Sequence, residues 1–81
     1  MEDETLRIAD IYVPVKRRRT LKPAIVGEIA ASMLEDGQRT PILVRRDGAR
    51  LILVEGLHRL EACKALGEDT IVGVIVQARL H

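Results

Sequence analysis

Aromatic side chains are nearly missing from this sequence: one Tyr, no Phe and no Trp in 81 residues. That argues against the stacked-aromatic platforms that hold single-stranded nucleic acids. Cysteine is down to one, which excludes an internal disulfide and a cysteine-built zinc site. The two His, His58 and His81, lie far apart in the chain, so no metal site is expected. Charge of one sign is lacking as well: 13 Lys and Arg against 12 Asp and Glu leave a net +1. No global field draws the protein to nucleic acid or to a membrane surface, and any electrostatic attraction must be local. The longest apolar run, Thr70 to Ala78, is far too short to span a bilayer. The acidic start, Met1-Glu2-Asp3-Glu4, shows no signal-peptide core. The expectation is a cytoplasmic, reduced, soluble module with no membrane partner.

What is present is aliphatic. Ile, Leu and Val together number 26, and 47% of the chain is hydrophobic against 31% charged. That is a globular composition, not a disordered one. The length suits one domain spanning residues 1–81. A domain this small buries a modest share of its surface, and its stability is expected to be roughly a few kcal/mol. Residues 1–5 are expected to be flexible. The chain stops soon after an apolar segment, which suggests a module that carries something C-terminal.

Periodicity divides the chain. Leu6 to Val13 alternates, with a slip of phase near Ala9, and predicts a first strand that Pro14 stops. Val15 to Lys22 reads as a basic loop. Val26, Ile29, Ala30, Met33 and Leu34 fall on one helical stripe. The spacing predicts a helix over Leu21 to Asp36, with Thr20 as its N-cap, Pro23 in the first turn and Gly37 closing it in the left-handed conformation. Pro41 to Arg46 and Leu51 to Val54 are short strands, and Asp47-Gly48 between them signals a tight hairpin turn, with Ala49 and Arg50 leaving the exact register open. Both strands are almost continuously apolar, so both sheet faces are expected to be covered. Leu57 to Leu66 predicts a second helix ended by Gly67, and Thr70 to Val76 a buried strand. The fold class is α+β: a small mixed sheet with two helices packed on it, in the order β-α-β-β-α-β.

The junction Val54-Glu55-Gly56-Leu57-His58-Arg59 carries the strongest chemical signal. A strand ends, a glycine turns the chain and a helix starts at once. The first amides of that helix lack carbonyl partners and sit at the positive end of its dipole, which suits an anion such as phosphate. Gly56 has no Cβ to hinder approach. His58 and Arg59 add donors, and Arg can grip two phosphate oxygens. The alternative is a tight turn followed by a solvated helix start. The run Lys16-Arg17-Arg18-Arg19, with Lys22 beyond it, suits a polyphosphate or a nucleic-acid backbone, or else is a solvated patch balancing the acidic start. Glu55 is placed to take a proton, hold a metal or accept a ribose hydroxyl, or simply ends a strand in water. Cys63, among alanine and leucine, reads as a small core residue.

The strings Gln38-Arg39-Thr40-Pro41-Ile42-Leu43-Val44-Arg45 and Leu53-Val54-Glu55-Gly56-Leu57-His58-Arg59-Leu60-Glu61-Ala62 resemble the N-terminal domain of ParB partition proteins. More broadly the chain resembles the ParB/sulfiredoxin superfamily, over about residues 6 to 78. Ile11-Tyr12-Val13-Pro14 with its arginines, and Ile29 to Met33 before Gly37, fit the same pattern. The resemblance implies nucleotide binding, with phosphates cradled by Gly56, Leu57, His58 and Arg59. Partition proteins use CTP, sulfiredoxin-like members ATP, and a kinase of free serine ADP. An arginine after the first strand's proline also reaches phosphate in that family, and Arg18 is the nearest match here.

Three departures refine this. Sulfiredoxins carry their catalytic cysteine where this chain has Leu57, so sulfiredoxin activity is not expected. ParB domains carry Glu there, linked with metal and triphosphate hydrolysis, which Leu57 cannot support. Glu55, with His58 before Arg59, matches the serine-kinase-like members instead. The expected function is therefore a CTP- or ATP-binding regulatory module, with Mg2+ on the nucleotide, in plasmid or chromosome partition or in transcription regulation. DNA would be bound mainly by a C-terminal helix-turn-helix absent from these residues, with Lys16, Arg17 and Arg19 as backbone or phosphate contacts. A homodimer is compatible with this. The alternative is a small phosphotransferase, nuclease or nucleoside triphosphatase using Glu55 and His58 as catalytic groups. With one candidate carboxylate, binding is favoured over catalysis.

Overall fold

The computed structural model describes residues 2–37 and 40–77. Met1, Gln38-Arg39 of the family-like string, Ala78 and His81 lie outside the described residues. Among those described, the elements run β1 (Asp3–Arg7), a 3-10 turn (Ile8–Asp10), β2 (Ile11–Tyr12), α1 (Val15–Arg18), α2 (Pro23–Asp36), β3 (Ile42–Asp47), β4 (Arg50–Glu55), α3 (Leu57–Ala65) and β5 (Thr70–Val76). The mixed sheet has the order β1-β5-β3-β4-β2. β1 is antiparallel to β5 and β3 to β4, while β3 runs parallel to β5 and β2 to β4.

The predicted first strand is two strands on opposite edges of this sheet. The phase slip near Ala9 is the 3-10 turn between them. Four residue steps from Arg7 to Ile11 reach at most ~14 Å. Five flat strands spaced by ~4.8 Å would stand about 19 Å from edge to edge. The sheet must therefore curl so that its edges approach. Ile8 and Ile11 pack on the core that also contains Leu57 and Leu60, so it curls toward α3. Asp3 to Thr5, expected to be flexible, instead pair with Val72 to Val74.

The two-residue hairpin turn is Gly48-Ala49 rather than Asp47-Gly48, because Asp47 pairs with Arg50. Of the two, only Gly48 has positive φ, at 62°, the pattern of a type II′ turn. α2 starts at Pro23 with Lys22 as its N-cap residue. Thr20 does not cap it: its hydroxyl donates to the Arg17 carbonyl at 2.7 Å and closes α1 instead. The basic loop thus contains one helical turn. α3 ends in a Schellman motif, with Glu68 N–H on Cys63 C=O and Gly67 N–H on Lys64 C=O, both at 3.0 Å, and Gly67 at φ 77°.

The core lies between α3 and one face of the sheet. Leu57, Leu60 and Cys63 meet Leu6, Val13, Ile42, Val44, Leu51, Leu53 and Ile71. α2 packs on α3 rather than on the sheet, and only Met33 of its stripe reaches the core cluster. Leu34, placed on that stripe by its spacing, is 75% exposed. The expectation of two covered faces is also corrected: among the described residues no helix lies on the convex face. Ile52 is still buried there, because its register partners Arg45 and Tyr12 flank it. Arg50 stacks over the Tyr12 ring on that side, 4.4 Å from its centroid.

Candidate functional site

The strand-to-helix junction is built around Gly56, whose φ of 110° and ψ of 28° few L-residues adopt. A Cβ there would stand 2.5 Å from Ile42 Cγ2 and 2.9 Å from Ile42 Cβ. The glycine is thus required by packing, since the chain turns directly over a core isoleucine that is 1% exposed. The first intrahelical bond of α3 runs from Leu60 N–H to Gly56 C=O at 2.9 Å. The amides of Leu57, His58 and Arg59 precede it and have no acceptor within the helix. They form the positive end of α3. The Leu57 side chain is 7% exposed and belongs to the core, so only its backbone faces outward.

His58 joins this turn to the start of α2. Its Nε2 accepts the Lys22 N–H at 3.0 Å. That amide belongs to the N-cap residue of α2, where no side chain caps the helix, so a histidine from another helix supplies the acceptor. The bond fixes the ring with its proton on Nδ1. Replacing His58 with Ala is expected to cost about 1 kcal/mol, lowering Tm by roughly 4–8 °C. A melting curve unchanged by the substitution would show that water replaces the imidazole at Lys22.

α1 distributes its cations around a single turn. Of the run, Arg18 lines a cleft of about 340 Å3 together with Val13, Leu21, Leu57, Glu61 and Lys64. Lys16, Arg17 and Arg19 are exposed. Glu61 and Lys64, which also line the cleft, pair at 3.2 Å. The structure thus brings Arg18 to Leu57, at the start of α3, and His58 to Lys22. Sequence reasoning missed Leu21, Glu61 and Lys64 as walls of this cleft. The i, i+3 spacing of the last two is the signal that could have shown them on one helix face.

Arg59 and Glu55 lie elsewhere. The Arg59 side chain lines a second cleft on the other flank of α3, formed with the C-terminal half of α2 and with β5. Its Nη1 is buried with no hydrogen-bond partner. Glu55 is exposed at the end of β4 and makes no ion pair among the described residues. Glu55 and His58 do not contact one another through any hydrogen bond. Cys63 is 4% exposed. Burial pushes its thiol up, Glu68 adds to this and Arg59 opposes it. Among the described residues no group of three or more His, Cys, Asp or Glu is placed to hold a metal ion. No described helix is long and apolar enough to cross a membrane.

A model of the ParB N-terminal domain matches residues 2–80. The chain belongs to the ParB N-terminal domain family. No curated protein sequence matches it. Among solved structures, this ParB-family domain is similar to sulfiredoxin from Arabidopsis thaliana, with 28% identity, a TM-score of 0.85 and coverage of 96% of this chain and 88% of the other. It is similar to the chromosome-partitioning protein ParB from Caulobacter crescentus complexed with CTP-gamma-S, at 23% identity and TM-score 0.81, covering 98% of this chain and 46% of that one. A free serine kinase in complex with ADP shares the fold at 16% identity and TM-score 0.81, covering 94% and 31%. The domain therefore spans about half of that ParB structure and about a third of the kinase. The ParB/sulfiredoxin-like α+β fold implied by the sequence is the fold observed.

Proposed function

We propose that this domain is a nucleotide-binding regulatory module of a DNA-segregation protein, taking CTP or ATP with its phosphates at the start of α3. The observation that carries the proposal is the convergence at that point. The amides of Leu57, His58 and Arg59 open at the helix terminus, and Arg18 shares a cleft with Leu57. His58 locks the beginning of α2 beside them. Phosphate is the anion such a helix start favours, and an arginine lining the same cleft supplies the charge. Related structures hold CTP-gamma-S and ADP, which supports a nucleotide as the ligand. Magnesium would arrive on the triphosphate, since the Leu57 side chain offers it no oxygen and Glu61 is paired with Lys64.

Binding is favoured over phosphoryl transfer because the two groups suited to catalysis are not assembled. His58 Nε2 already accepts the Lys22 amide, and Glu55 faces water. Chromosome partition, rather than transcription, is the process carried by the ParB neighbours, one of which is bound to its centromeric parS site. In this reading DNA specificity comes from segments outside the domain, and Lys16, Arg17 and Arg19 add sequence-independent phosphate contacts at most.

A thermal-shift panel of CTP, ATP, ADP and GTP with magnesium tests this. A ligand bound only by the folded state at a hundred times its Kd adds about 2.7 kcal/mol of stability. CTP or ATP is expected to raise Tm by several degrees. Changing Arg17, Arg18 and Arg19 together to Ala is expected to weaken binding about tenfold or more and flatten its salt dependence. No shift with any of the four nucleotides overturns the proposal.

A further inference from the structure

The cleft on the other flank of α3 has a composition that nucleotide phosphate binding does not use. It encloses about 340 Å3, which is within the range of small-molecule pockets. One wall carries Arg59, whose Nη1 is buried and has no hydrogen-bond partner. Another carries Glu68. Both act on the Cys63 thiol between them, in opposite directions. Yet no ion pair joins Arg59 to Glu68 among the described residues. Met33 and Leu66 supply apolar lining, and Thr70 a hydroxyl.

Opposite charges that line one cleft without pairing leave a buried donor unsatisfied, which is costly. A ligand bearing both charges would satisfy each wall at once. A phosphate does not suit this space, because Glu68 repels a dianion. A simple amine does not suit it either, because it leaves Arg59 unmet. The remaining chemistry is a zwitterion with an apolar side. We infer that this cleft binds a free α-amino acid with an aliphatic side chain, its carboxylate on Arg59, its ammonium on Glu68 and its side chain against Met33 and Leu66. The site is separate from the phosphate site: only the Arg59 backbone belongs to the α3 terminus, while its side chain turns into this cleft.

The test is a 1H–15N NMR titration of the 81-residue chain with leucine, and in parallel with 4-methylpentanoate and isoamylamine, which lack the ammonium and the carboxylate respectively. Leucine is expected to shift the amides of Cys63, Leu66 and Thr70, and each half-ligand to bind more weakly. Glu68→Gln is expected to weaken leucine about three- to fivefold, as suits a partly exposed charge. Arg59→Gln is expected to weaken it more than tenfold, because the half-buried guanidinium that meets the carboxylate is lost. Glu68→Gln is also expected to leave the CTP or ATP response unchanged, so the two sites succeed or fail separately. Saturating leucine without shifts at these amides overturns the inference, and so does an equal response to either half-ligand or an unaltered affinity in both variants.

Discussion

Gly56→Val is expected to abolish cooperative folding of this domain. The substitution meets two independent obstacles. The backbone holds φ at 110°, where a β-branched residue is a strong outlier, at about 1–3 kcal/mol. The new Cβ would also stand 2.5 Å from Ile42 Cγ2 and 3.2 Å from Ile42 Cα, against a core residue that is 1% exposed. Overpacking of this kind costs about 1–3 kcal/mol more. Together these match or exceed the stability of roughly a few kcal/mol available to a domain of this size. Circular dichroism on heating should show a broad or absent transition. A variant that melts cooperatively within a few degrees of the parent would mean that the β4–α3 junction relaxes away from Ile42. The consequence for function is direct: loss of nucleotide binding in this variant reports on folding, and Arg18 is the better probe of the phosphate site.

Leu60→Ala is expected to destabilise the domain by about 2–5 kcal/mol, the range for truncating a fully buried leucine. Leu60 is 0% exposed and stands in the middle of the cluster between α3 and the sheet. With Leu57 and Cys63 it holds α3, and with it α2, on the sheet. Because α2 packs on α3, the cavity left by the missing side chain loosens both helices. Urea denaturation should show a lower midpoint with a similar slope. A loss below about 1 kcal/mol would indicate that Leu57 and Cys63 close over the gap.

These two positions also show what each level of description decides. Local sequence determined the element types, because glycines, turn residues and apolar spacing are local signals. The helix expected over 21–36, which starts at Pro23, the hairpin, the short α3 closed by Gly67 and the last strand all followed from residues within a turn or two of one another. The strand–glycine–helix junction was legible for the same reason, and with it the amides of Leu57 to Arg59. Local pattern could not say what lay above Gly56, because Ile42 is fourteen positions away and meets it only in the fold.

Other outcomes depended on where distant elements met. The slip at Ala9 was visible, but its meaning was not: two short strands on opposite edges of a curled sheet have the same alternation as one broken strand. Leu34 satisfied the helical stripe yet stands exposed, because α2 packs on α3 and not on the sheet. Thr20 was a reasonable cap by residue type, but the acceptor for the Lys22 amide came from His58, thirty-six residues away. The cations of the basic run were equivalent in sequence, and only the one-turn helix turned Arg18 toward Leu57. Arg59 adjoins the phosphate-type turn in the chain. On a helix adjacent residues point about 100° apart, so its backbone stays at the turn while its side chain enters the cleft beside β5. The sequence by itself determined the alphabet of elements and the strand–glycine–helix junction with its open amides. The tertiary structure decided which side chains share a space, because that depends on contacts between residues whose separation in the chain carries no local signal.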